Sequence, residues 1–257
     1  MKILCIGDVV GDNGCDFLEQ HLPELKKRYD IDFCIVNGEN ASEGNGILPV
    51  AANRIFTFGA DVITGGNHTA RRKEIYTALE ENDCLLRPAN LPSAIPGKGI
   101  CICDLGYTTV AVINILGTVY MESMNSPFET ADKLIEEAKR EDAKIIIVDF
   151  HAEATSEKRA MGFYLDGRAT ALFGTHTHVQ TNDAQLLPKG TAYITDIGMT
   201  GAKHSVLGVD KDIIISKMKD KMPVRFLNSD EKPMLSGIVI DVDREGKATG
   251  IAAINEE

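Results

Sequence analysis

Apolar residues fall into short runs that stop abruptly at polar, glycine-bearing turns, with longer amphipathic stretches between them. Lys2-Ile3-Leu4-Cys5-Ile6 is a continuous apolar run closed by Gly7-Asp8-Val9-Val10-Gly11. Runs of this kind, bounded by glycine, predict buried strands. The next stretch places Phe17, Leu18, His21, Leu22 and Leu25 on one helical face, with Pro23 expected to kink or shorten the helix. His21 is expected to pack in the core. A second strand over 31–36 ends in Asn37-Gly38-Glu39-Asn40. A third over 60–64 ends in Gly65-Gly66-Asn67-His68, after a helix carrying Ala51, Ala52, Ile55 and Phe56.

Residues 87–99 form a Pro- and Gly-rich loop, and 99–114 reads as two antiparallel strands turning at Gly106. The irregular 118–127 segment is a surface loop or, through Tyr120, Met121 and Met124, a wall or lid. A helix over 129–140, with Ala131, Leu134, Ile135 and Ala138 on one face, precedes a strand over 144–148 that ends in Asp149-Phe150-His151. Another helix over 156–165 leads into Ala171-Leu172-Phe173-Gly174-Thr175-His176-Thr177-His178-Val179, an apolar strand running into two histidines. If the backbone stays extended there, His176 and His178 point to one side; two ordinary loop histidines are the alternative. A strand over 191–195 then ends in the glycine-rich 196–201 loop, and 236–242 with 248–254 makes a terminal hairpin. No linker or repeat divides the chain. The pattern predicts an α/β fold of two mixed sheets packed as a sandwich with flanking helices, in a single domain over 1–257.

At 257 residues and 44% hydrophobic content, the chain can bury one substantial core. Its six cysteines are expected as free thiols, because Cys5 and Cys34 fall in interior strands and residues 1–10 lack a secretory pattern. Cytoplasmic location follows as an expectation. No membrane partner is expected, since no segment reaches spanning length. A net charge of −11 opposes nonspecific nucleic-acid binding, so no stable duplex binding is expected and a small, locally captured substrate fits better. Homo-oligomerisation is left open.

The polar strand ends collect Asp8, Glu39, Asn40, Asn67, His151, His176 and His178. Taken singly, such residues have ordinary roles: Asp8 as a helix cap, Asn40 in a turn, His68 in a loop. Their recurrence at strand ends, where open α/β sheets place ligands, points to a metal centre. Mixed nitrogen and oxygen donors without thiolate suit iron, manganese, cobalt or zinc better than magnesium or a structural zinc. The set is large enough for two ions, and a carboxylate can bridge cations roughly 3.5–4 Å apart. Glu39 is assigned that bridge. The first glycine-bearing loop has neither dinucleotide-binding nor P-loop spacing, which argues against a nucleotide-binding oxidoreductase.

In chain order, Gly7-Asp8, Gly38-Glu39-Asn40, Gly66-Asn67-His68, His151 and Gly174-Thr175-His176-Thr177-His178 resemble the motifs of calcineurin-like metallophosphoesterases. GDVVG, NGENAS, GGNH, DFHAEATSEK and GTHTHVQT are more closely similar to the bacterial YmdB-like phosphodiesterases, a resemblance that covers nearly the full length. Two departures from the superfamily agree with this subgroup. Val10 stands where an Asp-x-His motif supplies histidine, and Glu39 replaces the usual bridging aspartate.

The resemblance implies a four-layered αββα sandwich and two divalent or mixed-valence transition-metal ions per chain, iron or manganese ahead of zinc or cobalt. It implies hydrolysis of small phosphodiesters, with 2′,3′-cyclic nucleotides such as 2′,3′-cAMP as candidate substrates. Carried over, it gives one metal Asp8, Glu39, Asn40 and His178 and the other Glu39, Asn67, His151 and His176, with attack by a metal-bridging hydroxide. His68 is left unligated and becomes the candidate catalytic residue, donating a proton to the leaving oxygen or stabilising phosphoryl charge. Two cations beside the substrate would offset the acidic exterior. The alternative is a regulatory metal-binding interaction protein with slow or incidental phosphoesterase activity.

Overall fold

The computed structural model describes residues 1–43, 45–122 and 125–257. The first half runs β1 (Lys2–Ile6), β2 (Asp8–Val9), α1 (Gly11–Arg28), β3 (Phe33–Asn37), α2 (Pro49–Phe58), β4 (Val62–Thr64), α3 (Tyr76–Glu81), β5 (Ile100–Asp104) and β6 (Thr109–Leu116). The second runs α4 (Pro127–Arg140), β7 (Ile145–His151), α5 (Thr155–Leu165), β8 (Ala171–Thr175), β9 (Gln185–Leu186), β10 (Ala192–Ile194), β11 (Met199–Ala202), α6 (Lys211–Asp220), β12 (Pro233–Val242) and β13 (Ala248–Glu256). One sheet has the order β2-β11-β12-β1-β3-β4 with β13 added to β12, and the other β5-β6-β7-β8-β10-β9. Both are mixed. Strands β1, β3 and β4 run parallel, as do β6, β7, β8 and β10, while β12 and β5 pair antiparallel with β1 and β6.

The central strands are apolar at successive positions because both of their faces are covered, and the two-residue alternation sorts their side chains between layers. On β1, Leu4 and Ile6 pack with Leu18 and Leu22 of α1 and Ile55 of α2. Ile3 and Cys5 instead join Phe33 and Ile35 between the sheets. On β7, Ile145 and Ile147 enter that middle layer, whereas Ile146, Val148 and Phe150 pack with Ile135 of α4 and Met161 of α5. Three apolar interfaces thus join four layers of backbone in the αββα order. Each fully buried Leu or Ile contributes roughly 1.5–3 kcal/mol, which offsets the desolvation of the polar side chains held at the strand ends.

Five local features differ from what the sequence predicts. Pro23 does not shorten α1, which continues to Arg28. Pro23 and Glu19 both lie on the exposed side, so the carbonyl that loses its helical partner is open to water. His21 is half-buried instead of packed in the core; it stacks on Phe17 and donates through Nδ1 to the Phe17 carbonyl oxygen at 2.8 Å. The strand through His176 and His178 is not extended: β8 stops at Thr175, and the two histidines have φ of 98° and 63°. The glycine-rich 196–201 loop is half strand, since β11 runs parallel to β2, with Met199 opposite Asp8, and antiparallel to β12. Helix α6 falls where the pattern predicts no element; Ile215 and Met218 on it are exposed, so it lacks a clean apolar face. Among the described residues, no helix is long and apolar enough to cross a membrane.

Candidate metal centre

Parallel strands from both sheets end at one edge of the sandwich, and their carboxyl ends deliver every residue singled out by sequence. Asp8 follows β1, Glu39 and Asn40 follow β3, Asn67 and His68 follow β4, His151 closes β7, and His176 and His178 follow β8. Asp8, Glu39 and His151 are completely buried, Asn40 and His178 nearly so, His68 and His176 half-buried, and Asn67 exposed. Glu39 sits at the centre. Its Oε1 accepts from the Asn40 amide at 2.9 Å and lies 3.3 Å from both His151 Nε2 and His68 Nδ1, while its Oε2 accepts the His68 backbone N–H at 3.0 Å. The approach of β4 to β7 is close enough that a Cβ on Gly66 would collide with Glu39 Oε2 and His151 Nε2. Asn114 on β6 clamps the neighbouring Gly65, accepting its N–H and donating to its carbonyl oxygen.

Each of the three clustered histidines has its outward nitrogen committed. The Thr175 hydroxyl donates to Asp149 at 2.7 Å, so its oxygen accepts the Nδ1–H of His151 at 2.9 Å. His176 Nε2 pairs with Glu153 at 3.1 Å, and His178 Nδ1–H donates to the Leu207 carbonyl at 3.1 Å. The nitrogens left over turn inward. His151 Nε2 lies 3.0 Å from His176 Nδ1 and 3.1 Å from Asn67 Oδ1, and His178 Nε2 lies 3.6 Å from Asp8 Oδ1. Such outer-shell acceptors fix ring orientation and tautomer so that a lone pair faces a bound cation.

Converging lone pairs require a cation between them. One donor atom each from Glu39, His151 and His176 falls within 4.8 Å of the others. The completely buried Asp8 Oδ1 has no hydrogen-bond partner among the described residues, although an orphaned buried carboxylate oxygen is costly. The residues therefore fit a transition-metal cation held by nitrogen and oxygen donors. Protons partly fill that role in the protein alone. Burial works against charge at Glu39, but His151 and His68 hold its carboxyl well below the usual range. Burial likewise opposes the charge on His151, yet Glu39 prevails and lifts it to about 9. Burial, reinforced by the adjacent His151, pushes His176 down to about 4. At His178 burial again opposes protonation and Asp8 outweighs it, so its pKa is raised. Cation binding displaces such protons.

Asn40 turns its amide nitrogen toward Glu39 and His178, and its Oδ1 accepts from His68 Nδ1 at 2.9 Å. Ligation through Oδ1 requires the amide to rotate by half a turn, which then faces its nitrogen to His68. His68 and His176 are shared by two cavities. One, of about 740 Å³, is lined also by Asn67, Arg71, Tyr120 and Met121; the other, of about 310 Å³, also by Glu39, Asn40, Leu207 and Phe226. Tyr120 and Met121 thus form a wall, and Met124 lies outside the described residues. Sequence reasoning missed Glu153 and the Thr175–Asp149 relay, and took Asp196 only as the start of a glycine-rich loop near the site. The buried Asp196 accepts from the Thr177 backbone N–H and hydroxyl at 3.2 and 2.8 Å and pairs with buried Lys158 at 2.6 Å, fixing the turn that carries His176 and His178. A lysine at 158, on a helical face with Met161 and Leu165, was the signal available for this pair.

The chain as a whole is similar to known proteins. The chain is 49% identical over 247 residues to a 2′,3′-cyclic-nucleotide 2′-phosphodiesterase of Bacillus subtilis, covering 96% of this chain and 93% of the relative. Among solved structures, a hypothetical protein from Thermus thermophilus superposes with a TM-score of 0.93 at 38% identity, covering 100% of this chain and 99% of that one. A phosphatase from Mycoplasma pneumoniae also gives 0.93, at 34% identity, covering 100% and 93%. The sequence profile described as YmdB-like protein matches residues 4–254, a span that contains every strand-end residue of the centre. With the profile, the relative and the order of the motifs in agreement, the chain belongs to the YmdB-like protein family.

Proposed function

We propose that this protein is a phosphodiesterase that hydrolyses small phosphodiesters, 2′,3′-cyclic nucleotides such as 2′,3′-cAMP among them, at a centre of two transition-metal ions. It is a phosphoesterase hydrolase, and the name of the Bacillus subtilis relative supports the cyclic substrate. The observation that carries the reading is the inward-facing set of lone pairs around Glu39, with Asp8 Oδ1 unpartnered. Asp8, Glu39, Asn40 and His178 would hold one ion and Glu39, Asn67, His151 and His176 the other, iron or manganese suiting the donors best, with zinc or cobalt as alternatives. When bound, the ions supply positive charge to the phosphoryl oxygens and make water acidic enough to act as a nucleophile near neutral pH.

The remaining work falls to the chain. Thr175, Glu153 and the Leu207 carbonyl hold the three imidazoles in register. His68, anchored through its backbone and Nδ1 to Glu39 and Asn40, keeps an Nε2 with no hydrogen bond among the described residues, and we assign it the proton for the leaving ribose oxygen. Arg71 and Tyr120 in the larger cavity border the substrate. Residues 1–257 act as one domain in this reading. The free cysteines support a cytoplasmic location, and the acidic surface supports exclusion of duplex nucleic acid. Elemental analysis alongside turnover on a panel of phosphodiesters tests it. We expect about two ions per chain, activity lost on chelation and restored by manganese or iron. Metal-free protein with full activity would sink the mechanism.

A further inference from the structure

We propose that Cys84, Cys101 and Cys103 form a separate metal site that takes one soft, thiophilic d10 cation, Cu⁺ or Zn²⁺, between the edges of the two sheets. The strand period places Cys101 and Cys103 on the same face of β5, where they join the middle layer, while Ile100 and Ile102 face α4. Cys84 arrives from the other sheet. Its N–H donates to Asn82 Oδ1 at 2.9 Å and its carbonyl accepts the Ile63 N–H of β4 at 2.9 Å. The Cys84 and Cys101 sulfurs lie 3.0 Å apart and those of Cys101 and Cys103 3.4 Å, and all three fall within 4.8 Å. Three sulfurs bound at a metal–sulfur distance of about 2.3 Å stand roughly 3.8–4.0 Å from one another, so the cluster closes on an ion with movements of less than about 1 Å.

A disulfide would join only two of the three. Cys101 is 2% exposed and its two neighbours half-buried, so the site is framed by the core but reached from the rim. Three thiolates this close repel one another, so they coexist only around a cation. An all-sulfur set selects softer ions than the nitrogen and oxygen donors around Glu39, and shares no residue with them.

Anaerobic titration of the reduced full-length protein with Cu⁺, and separately with Cd²⁺ standing for Zn²⁺, tests the site through the ultraviolet thiolate-to-metal absorption, which the phosphodiesterase centre cannot produce. We expect one equivalent to saturate the band in at least one arm, and the tighter arm to identify the ion class. Cys101→Ser should abolish the band and the half-buried Cys103→Ser should weaken binding at least about tenfold, with phosphodiesterase turnover unchanged in both. Reduced protein that takes up neither ion, or a band that survives Cys101→Ser, overturns the assignment. Loss of thiols in pairs on oxidation, without metal uptake, would make the cluster a disulfide pair instead.

Discussion

Glu39 and His68 touch one another, yet their substitutions should fail in different ways. Glu39 is the acceptor shared by Asn40, His68 and His151, so Glu39→Ala removes the group around which the centre is built. Purified Glu39→Ala should carry little metal and little activity. His68 faces the cavities with a half-buried ring and anchors through its own N–H. His68→Ala should keep its metal while turnover of a ribose-linked diester falls by about 10²–10⁴. An ester of p-nitrophenol, whose leaving group needs little protonation, should suffer less. Metal analysis and the two rates decide the point: equal losses with metal retained would leave His68 only charge stabilisation, and metal loss would make it a ligand.

The turn after β8 is the element on which the histidine geometry depends, because left-handed backbone at His176 and His178 is strained for residues with a side chain. The buried Lys158–Asp196 pair holds that turn from below. Lys158→Met should leave a buried, unpaired carboxylate and cost about 3–5 kcal/mol, lowering Tm by roughly 10 °C, with metal occupancy falling alongside. Calorimetry and metal analysis read both; an unchanged Tm would remove the pair from this role. The turn also marks where sequence reading stopped. Alternation brought His176 and His178 to one cluster through the wrong backbone, because periodicity sees apolar spacing and not the hydrogen bonds from Thr177 that bend the chain. The strand-end residues of the candidate centre were legible since each interrupts an apolar run with a polar side chain able to hold a metal. Their supports were not: Thr175 and Glu153 look like ordinary strand and loop residues, and the Leu207 carbonyl has no residue signature at all.

At the scale of the molecule, the two sheets were legible from strands that are apolar on both faces, whereas α6, with Ile215 and Met218 exposed, offered no period to read. On the proposed reading, the net charge of −11 surrounds a centre that draws in anions, so reach would be short and small substrates favoured. Filter binding of duplex DNA across a salt series should detect no tight complex; high affinity that persists as salt rises would contradict this. Topology adds a constraint on how the protein matures. Strand β1 lies inside its sheet, with β3 on one side and β12 on the other, and the Asp8 N–H hangs from the Gly198 carbonyl at 3.2 Å. Strand β1, and with it Asp8, is thus held from one side by β3, close to it in the chain, and from the other by residues that follow it at great sequence distance. On the proposed reading, the side chains that would hold the ions stay unaligned until those distant partners have folded around β1, so ion uptake would report the closing of the whole sheet.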